Sequence, residues 1–195
     1  NRFFGGSRSI VEAVEDAMRT LPMRPSSPVR LLDVATGAGD IPRAVLRRAE
    51  RRRWNLQVIA TDVQPEILAV AQHGDRPEAL SFAQADALAL PFAEDAFEMS
   101  TLALALHHFE PEAARQVLAE LRRVTSHRMI VSDLRRSYPG FAAAWLFAHA
   151  LTRNRLTRHD APLSVRRAYT PREAALMARD AGWRAISVRR SWPFR

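Results

Sequence analysis

Residues 31–40 read LLDVATGAGD, and the interpretation of the whole chain starts from this stretch. An apolar run ends on Asp33, and Gly37 and Gly39 follow two residues apart. The chain has only seven glycines, so two here indicate either a tight turn or a ligand that comes close to the backbone. A G-x-G pair does not decide between these, because glycine also forms ordinary turns.

The remaining sequence alternates short apolar runs with helix-like stretches. Asp40 is the expected N-cap of the helix that follows the glycines, with Pro42 in its first turn. Thr170, Pro171 and Glu173 predict a capping box at a later helix that ends at Gly182. The predicted strands are 29–35, 56–61, 80–84, 97–104, 127–133 and 183–190, and the other predicted helices are 40–53, 65–73 and 111–124.

This alternation predicts an α/β fold with a doubly wound, mainly parallel sheet and right-handed crossovers. We expect residues 1–195 to form a single domain with a helical insertion after the fifth strand. The insertion, 135–169, combines an apolar helix at about 140–152 with a basic loop. Because open sheets of this kind bind ligands at the carboxyl ends of their strands, we expect 135–169 to form a lid or substrate cap.

Two further acids follow strands. Asp62 ends the second predicted strand and Asp86 follows the third. A carboxylate in the first position can accept hydrogen bonds from both ribose hydroxyls, and one in the second position from an adenine amino group. Each acid alone is more typical of an exposed cap, but together with the glycine turn they describe a nucleoside-binding cleft.

The same stretch constrains the nucleoside. A dinucleotide fingerprint would place a third glycine where Pro42 stands, and no G-K-[ST] sequence of a phosphate loop is present. Asp40 at the start of the helix would repel a phosphate. We therefore expect a ligand without phosphates. An adenosine with a cationic sulfonium fits, because Asp33 and Asp40 suit a positive ligand.

At this point the chain resembles a class I S-adenosylmethionine-dependent methyltransferase, with the motifs LLDVATGAGD, ATDVQPEIL, FAQADALALPF and DAFEMSTLALALHHF in the family order. It is most similar to the small-molecule enzymes of ubiquinone and menaquinone biosynthesis. The family's sheet usually ends in an antiparallel hairpin, of which only the strand at 183–190 is evident here. The resemblance implies that S-adenosylmethionine, with S-adenosylhomocysteine as product, contacts Thr36, Gly37, Gly39, Asp62, Val63, Asp86, Ala87 and Ala103.

The candidate catalytic residues are His107, His108 and Asp133. The two histidines follow the fourth strand, where an imidazole could take a proton from a phenol, enol or activated carbon. By resemblance the quinone-pathway enzymes hold an Arg-Asn pair there, so no role can be transferred from them. The histidines alternatively only shape the pocket or cap the next helix, and Asp133 alternatively only binds loop N–H groups.

These features predict O- or C-methylation of a small acceptor that is apolar or aromatic, because the insertion carries the apolar run FAAAWLFAHAL. The alternatives are an RNA methyltransferase and a non-catalytic cofactor-binding or scaffold protein. RNA is favoured by the net charge of +8, although all 29 basic residues are arginine, which also suits a GC-rich coding sequence.

The remaining expectations concern location and partners. The chain lacks cysteine and any apolar run long enough to span a bilayer, which favours the cytoplasm. The arginines near Arg135 and Arg136 offer weak contact with a membrane surface or an acidic acceptor. We expect no metal, and the oligomeric state stays open. The chain begins with Asn1 rather than Met, so we expect residues to be missing at both ends.

Overall fold

The computed structural model describes residues 6–21, 27–136 and 163–189. They form two compact units: 6–21, 27–103 and 119–132 make up the first, and 104–118, 133–136 and 163–189 the second. The apolar helix expected at about 140–152 lies outside the described residues, as does most of the insertion 135–169. No helix within the described ranges is long and apolar enough to cross a membrane.

The first unit is built on a five-stranded sheet in the order β3-β2-β1-β4-β5, with every pair parallel. This confirms the predicted doubly wound α/β architecture. The strands are β1 (Val29–Val34), β2 (Leu56–Asp62), β3 (Leu80–Gln84), β4 (Phe97–Ala103) and β5 (Thr125–Ser132). The helices of the two units include α1 (Gly6–Thr20), α2 (Asp40–Arg52), α3 (Pro65–Gln72), α4 (Pro111–Val124) and α5 (Pro171–Asp180). Residues 163–167 are also helical, and Leu106–His108 form a 3-10 turn.

The strand register aligns the carboxyl ends of the four strands that matter for the site. Val34 of β1 pairs with Thr61 of β2 on one side and with Leu102 of β4 on the other. Thr61 in turn pairs with Ala83 of β3. The loops that leave these strands therefore start from one edge of the sheet, which is where open parallel sheets bind ligands.

Apolar packing fixes this edge in place. Ile10 and Val14 of α1 join Val45 of α2 in one buried cluster with Leu31 of β1 and Met99 of β4. β1 is buried along nearly its whole length, as expected for a central parallel strand covered on both faces. The segment that carries the glycine loop therefore begins from the most rigid part of the sheet.

Two local predictions are wrong and one is confirmed. Gly39, not Asp40, is the N-cap of α2. Its left-handed φ of 75° lies outside the helical range, whereas Asp40 is already the first helical residue. Residues 183–189 form no strand, since a strand needs a hydrogen-bonded neighbour and no described strand pairs with them. The capping box of Thr170 and Glu173 at α5 is present as predicted.

Candidate functional site

The loop between β1 and α2 is held in an unusual backbone conformation. Ala35, Gly37 and Gly39 have φ values of 54°, 58° and 75°, all in the left-handed region. Ala35 carries a side chain, so its conformation costs about 1–2 kcal/mol. The loop is closed by hydrogen bonds from Thr36 N–H to the Thr61 carbonyl at 2.8 Å and from Gly39 N–H to the Thr36 carbonyl at 3.1 Å.

The two glycines differ in what an added side chain would contact. A Cβ on Gly39 would lie 2.5 Å from Nη1 of Arg43 and 3.3 Å from Cε1 of Phe82, so the chain's own packing requires glycine there. A Cβ on Gly37 would meet no described atom within 4 Å. The space beside Gly37 is therefore open to a ligand, whereas the space beside Gly39 is filled by the protein.

Asp62, at the end of β2, connects the loop between β1 and α2 with the loop between β2 and α3. Its Oδ2 accepts a hydrogen bond from Gly37 N–H at 3.0 Å and its Oδ1 accepts one from Gln64 N–H at 3.1 Å. An ionised carboxylate offers about four acceptor positions, so Asp62 keeps capacity for two hydroxyl donors. The next residue, Val63, is 53% exposed and offers apolar surface beside the carboxylate.

Asp33 is the most buried acid of the site, at 1% exposure. The Thr101 hydroxyl donates to its Oδ1 at 2.5 Å, and its Oδ2 has no hydrogen-bond partner among the described residues. Burial raises the pKa of Asp33 to about 6, and the hydroxyls of Thr101 and, to a smaller extent, Thr36 oppose this rise. The nearby Asp62 raises the pKa further. A buried carboxylate oxygen without a donor is a position where a cationic ligand group would be stabilised.

The described hydrogen bonds of the site link none of the other predicted cofactor residues, Asp86, Ala87 and Ala103, to the glycine loop or to Asp62. Asp86 is exposed, and its Oδ1 accepts from Leu88 N–H at 2.9 Å, so it caps its own turn. Ala87 is buried and Ala103, the last residue of β4, is half-buried. The adenine contact of Asp86 stays a prediction.

In the second unit, His107 and Asp133 form a hydrogen-bonded pair. Nδ1 of His107 lies 2.6 Å from Oδ1 of Asp133, and the His107 backbone N–H donates to Oδ2 at 2.8 Å. Asp133 also accepts from Leu134 N–H at 2.7 Å. An ionised carboxylate can only accept, so Nδ1 donates in this hydrogen bond, and Nε2 carries the lone pair whenever the ring is neutral.

His108 is placed differently from its neighbour. The two rings are 4.2 Å apart with their planes tilted by 38°, and His108 is exposed where His107 is buried. Burial lowers the pKa of His108, and the neighbouring His107 lowers it further. Asp133 opposes this lowering of the pKa, but the described contacts show no hydrogen bond from the His108 ring to a carboxylate.

Residues 31–128 match the family model described as a methyltransferase domain. The chain belongs to this family. A demethylmenaquinone methyltransferase of Thermus thermophilus is 37% identical to it over 100 residues, which make up 50% of this chain and 43% of that protein. The ubiquinone/menaquinone biosynthesis C-methyltransferase UbiE of Paracoccus denitrificans is 35% identical over 104 residues, 52% of this chain and 40% of that protein.

The chain thus spans less than half the length of these curated relatives. Among solved structures, a SAM-dependent methyltransferase of Aquifex aeolicus has a TM-score of 0.59 and 19% identity, over 89% of this chain and 79% of that one. At that identity the likeness concerns the fold. These findings confirm the resemblance to class I methyltransferases of the quinone-pathway type.

Sequence reasoning missed three residues of this candidate site. The Thr101 hydroxyl donates to the Asp33 side chain, and the Thr61 hydroxyl donates to the Asp33 carbonyl. Arg43 packs behind Gly39. Threonine in otherwise apolar strands was a usable signal, because a buried hydroxyl needs a partner. Arg43 gave no signal, since an arginine on a helix is usually exposed.

Proposed function

We propose that this chain binds S-adenosylmethionine at the carboxyl edge of its sheet and methylates a small apolar or aromatic acceptor on oxygen or carbon. Two observations fit this ligand: the unpartnered Oδ2 of Asp33 suits a cationic group, and the space beside Gly37 admits one close to the backbone. S-adenosylmethionine supplies a methyl group already activated by its sulfonium. The protein then has to bind, orient and exclude water.

The contact between Asp62 and Gly37 carries the cofactor assignment. It joins the acid after β2 to the glycine loop after β1, with acceptor capacity left on the carboxylate. In the proposed complex Asp62 would accept from the ribose hydroxyls and Val63 would contact the adenine. Asp33 would face the cationic part of the ligand, and Asp86 the adenine amino group.

His107 is the proposed general base for acceptors that must lose a proton. Asp133 orients the ring through Nδ1 and fixes the backbone of the same residue, so Nε2 is presented in one tautomer. In this role Nε2 accepts the proton of a hydroxyl or activated carbon, and Asp133 stabilises the imidazolium that results. His108, without such a partner, would shape the acceptor pocket.

An apolar acceptor is supported by the relatives, whose names refer to demethylmenaquinone and to ubiquinone and menaquinone. The relatives' names give no support to an RNA acceptor, which rests on the net charge of +8 alone. Part of the positive charge is held by acids of the protein, since Glu15 binds Arg19, Arg48 and Arg52. A cytoplasmic location, as inferred from the sequence, is part of the same proposal.

The test is calorimetric titration of the purified protein with S-adenosylmethionine, in parallel with Asp62→Ala and with NADH as a ligand control. Glu50→Ala, which removes an exposed carboxylate on α2, is the matched control variant. Binding in the micromolar range that Asp62→Ala loses and Glu50→Ala keeps would support the proposal. Absence of binding to the intact protein, or equal binding of NADH, would contradict it.

A further inference from the structure

Arg43 is a buried arginine, and each of its three guanidinium nitrogens donates to a backbone carbonyl. It is the fourth residue of α2 and is 8% exposed. Its Nη1 donates to the Ala38 carbonyl and its Nε to the Asp75 carbonyl, each at 2.7 Å, and its Nη2 donates to the Ala71 carbonyl. These acceptors belong to the glycine loop, to α3 and to the loop after α3. No carboxylate of the described residues pairs with Arg43.

The surrounding sequence makes room for this guanidinium. A Cβ on Gly74 would lie 2.7 Å from Nη2, and a Cβ on Gly39 would lie 2.5 Å from Nη1. The ring of Phe82 lies beneath, with its centroid 5.7 Å from the guanidinium carbon. Burying a charge without a counter-ion is costly unless every donor is satisfied, and an apolar side chain could fill the same volume. The specific property of arginine here is its planar set of donors.

The loop next to Arg43 is strained and needs support. Three of its residues, Ala35, Gly37 and Gly39, have left-handed backbones, one of them with a side chain. Strained loops persist only where surrounding contacts determine their conformation. Arg43 contacts the loop at the Ala38 carbonyl, between the two glycines.

We propose that Arg43 is a positioning residue for the cofactor pocket. By holding the Ala38 carbonyl against α3 and the loop after it, Arg43 keeps Gly37 N–H within reach of Asp62 and keeps the space beside Gly37 open. This inference rests on the proposed function. It adds that cofactor affinity depends on a side chain that is not within 4 Å of the Cβ position of Gly37.

The test compares wild type with Arg43→Lys, which keeps the charge but cannot donate to three carbonyls in one plane. Because Arg43 contacts no reacting atom, the dissociation constant and KM for S-adenosylmethionine should rise about tenfold or more, with kcat at saturation changed by less than about threefold. Arg47→Met, which removes an exposed arginine one turn later on α2, is the matched control and should change neither value.

A second variant, Gly74→Ala, tests the same inference if Arg43→Lys does not fold. Gly74→Ala leaves Arg43 in place and adds a methyl group 2.7 Å from its Nη2, so the guanidinium must shift. The dissociation constant should rise by about threefold. Hydrogen exchange without ligand gives an independent readout: in both variants the Gly37 amide should exchange faster, while that of Val58 in the core of β2 should not.

Unchanged affinity and unchanged Gly37 exchange in folded variants would overturn the inference. So would a lower melting temperature without any change in affinity, which is the result of a purely structural role. If wild type itself fails to bind S-adenosylmethionine, the proposed function fails and this inference fails with it. If wild type binds and the variants bind equally well, only the inference about Arg43 is lost.

Discussion

Asp133 accepts two hydrogen bonds from His107, one from the ring Nδ1 at 2.6 Å and one from the backbone N–H at 2.8 Å. The two oxygens of one carboxylate therefore fix both the position of the residue and the tautomer of its ring. This geometry suits a general base with an orienting carboxylate, and substitutions at the two residues separate that role from a structural one.

Asp133→Asn tests the role of this pair in catalysis. The asparagine oxygen can still accept from one N–H, but the amide NH₂ cannot accept from the other, so the tautomer with a basic Nε2 is no longer favoured. We expect kcat to fall by about 10²-fold or more for an acceptor that must lose a proton. The affinity for S-adenosylmethionine should be unchanged, as measured by calorimetry.

His127→Asn is the control for this experiment, because His127 lies on β5 and is exposed. It should leave kcat unchanged. If Asp133→Asn and His107→Asn both retain the wild-type kcat with a correctly folded spectrum, the pair has only a structural role and the base assignment is wrong.

Asp33 predicts how stability varies with pH. Its pKa is about 6 in the folded protein against 3.8 for an unperturbed aspartate, so between these values the folded state binds more protons than the unfolded state. Stability contributed by this group is therefore present at low pH and lost as the pH rises through 6, by about 3 kcal/mol at most. Asp33→Asn cannot ionise and should gain stability relative to wild type as the pH rises from 4 to 8.

The measurement is the difference in unfolding free energy between wild type and Asp33→Asn across this pH range, with Glu50→Gln as an exposed control. A difference that does not vary with pH would show that Asp33 titrates normally.

Cofactor binding should show the opposite preference for pH. A cationic ligand group near Asp33 stabilises the ionised carboxylate, so binding should release a proton near pH 6 and weaken below it. Calorimetry in buffers of different ionisation enthalpy measures this proton release. Asp33→Asn should bind about tenfold more weakly at pH 8 and show no release. Proton release that persists in the variant would come from another group.

The sheet and most of its ligand edge were predictable from the sequence. Apolar runs mark buried parallel strands, and an acid or glycine at the end of each run marks the edge where ligands bind. The capping box at Thr170 was predictable because both of its hydrogen bonds are local. Predictions of this kind succeed when the signal and the structure lie within a few residues of each other.

The features that sequence reasoning missed all depend on distant partners. The Arg43 guanidinium that crowds Gly39 is held by carbonyls as far along the chain as that of Asp75. The partner of His107 lies 26 residues away in the chain. Residues 183–189 resemble a strand in their sequence, but no described strand pairs with them and Val188 is 54% exposed. The arginine content also did not decide between a binding surface and internal ion pairs. Only the fold shows that Glu15 binds three arginines.

The two glycines of the loop predict two different phenotypes. Gly37→Ala places a methyl group in open space, so the cost is that of a left-handed alanine, about 1–2 kcal/mol, and the variant should fold but bind S-adenosylmethionine poorly. Gly39→Ala adds contacts at 2.5 Å with Arg43 and 3.3 Å with Phe82. Its melting temperature should therefore be clearly lower than that of Gly37→Ala.

Thermal unfolding and calorimetry on the two variants decide this point. If Gly37→Ala binds as well as wild type, no ligand approaches the backbone there. If the two melting temperatures are equal, the space around Arg43 is less constrained than the distances indicate.

Val63 and Val70 allow a matched comparison of cofactor affinity, since both are exposed valines, at 53% and 64%. A valine that is already exposed contributes little to stability, so serine at either position should leave the melting temperature unchanged. In the proposed complex only Val63 becomes covered by the ligand. Covering about half of a valine side chain contributes roughly 1 kcal/mol, so Val63→Ser should weaken S-adenosylmethionine binding about fivefold.

Val70→Ser, on α3, is the matched control and should bind as wild type does, because serine and valine have similar helix propensities. Equal weakening by both substitutions would point to a general effect on α3. Full affinity in Val63→Ser would remove the adenine from this side of Asp62, and the ligand would then have to lie on the Asp33 side of the loop.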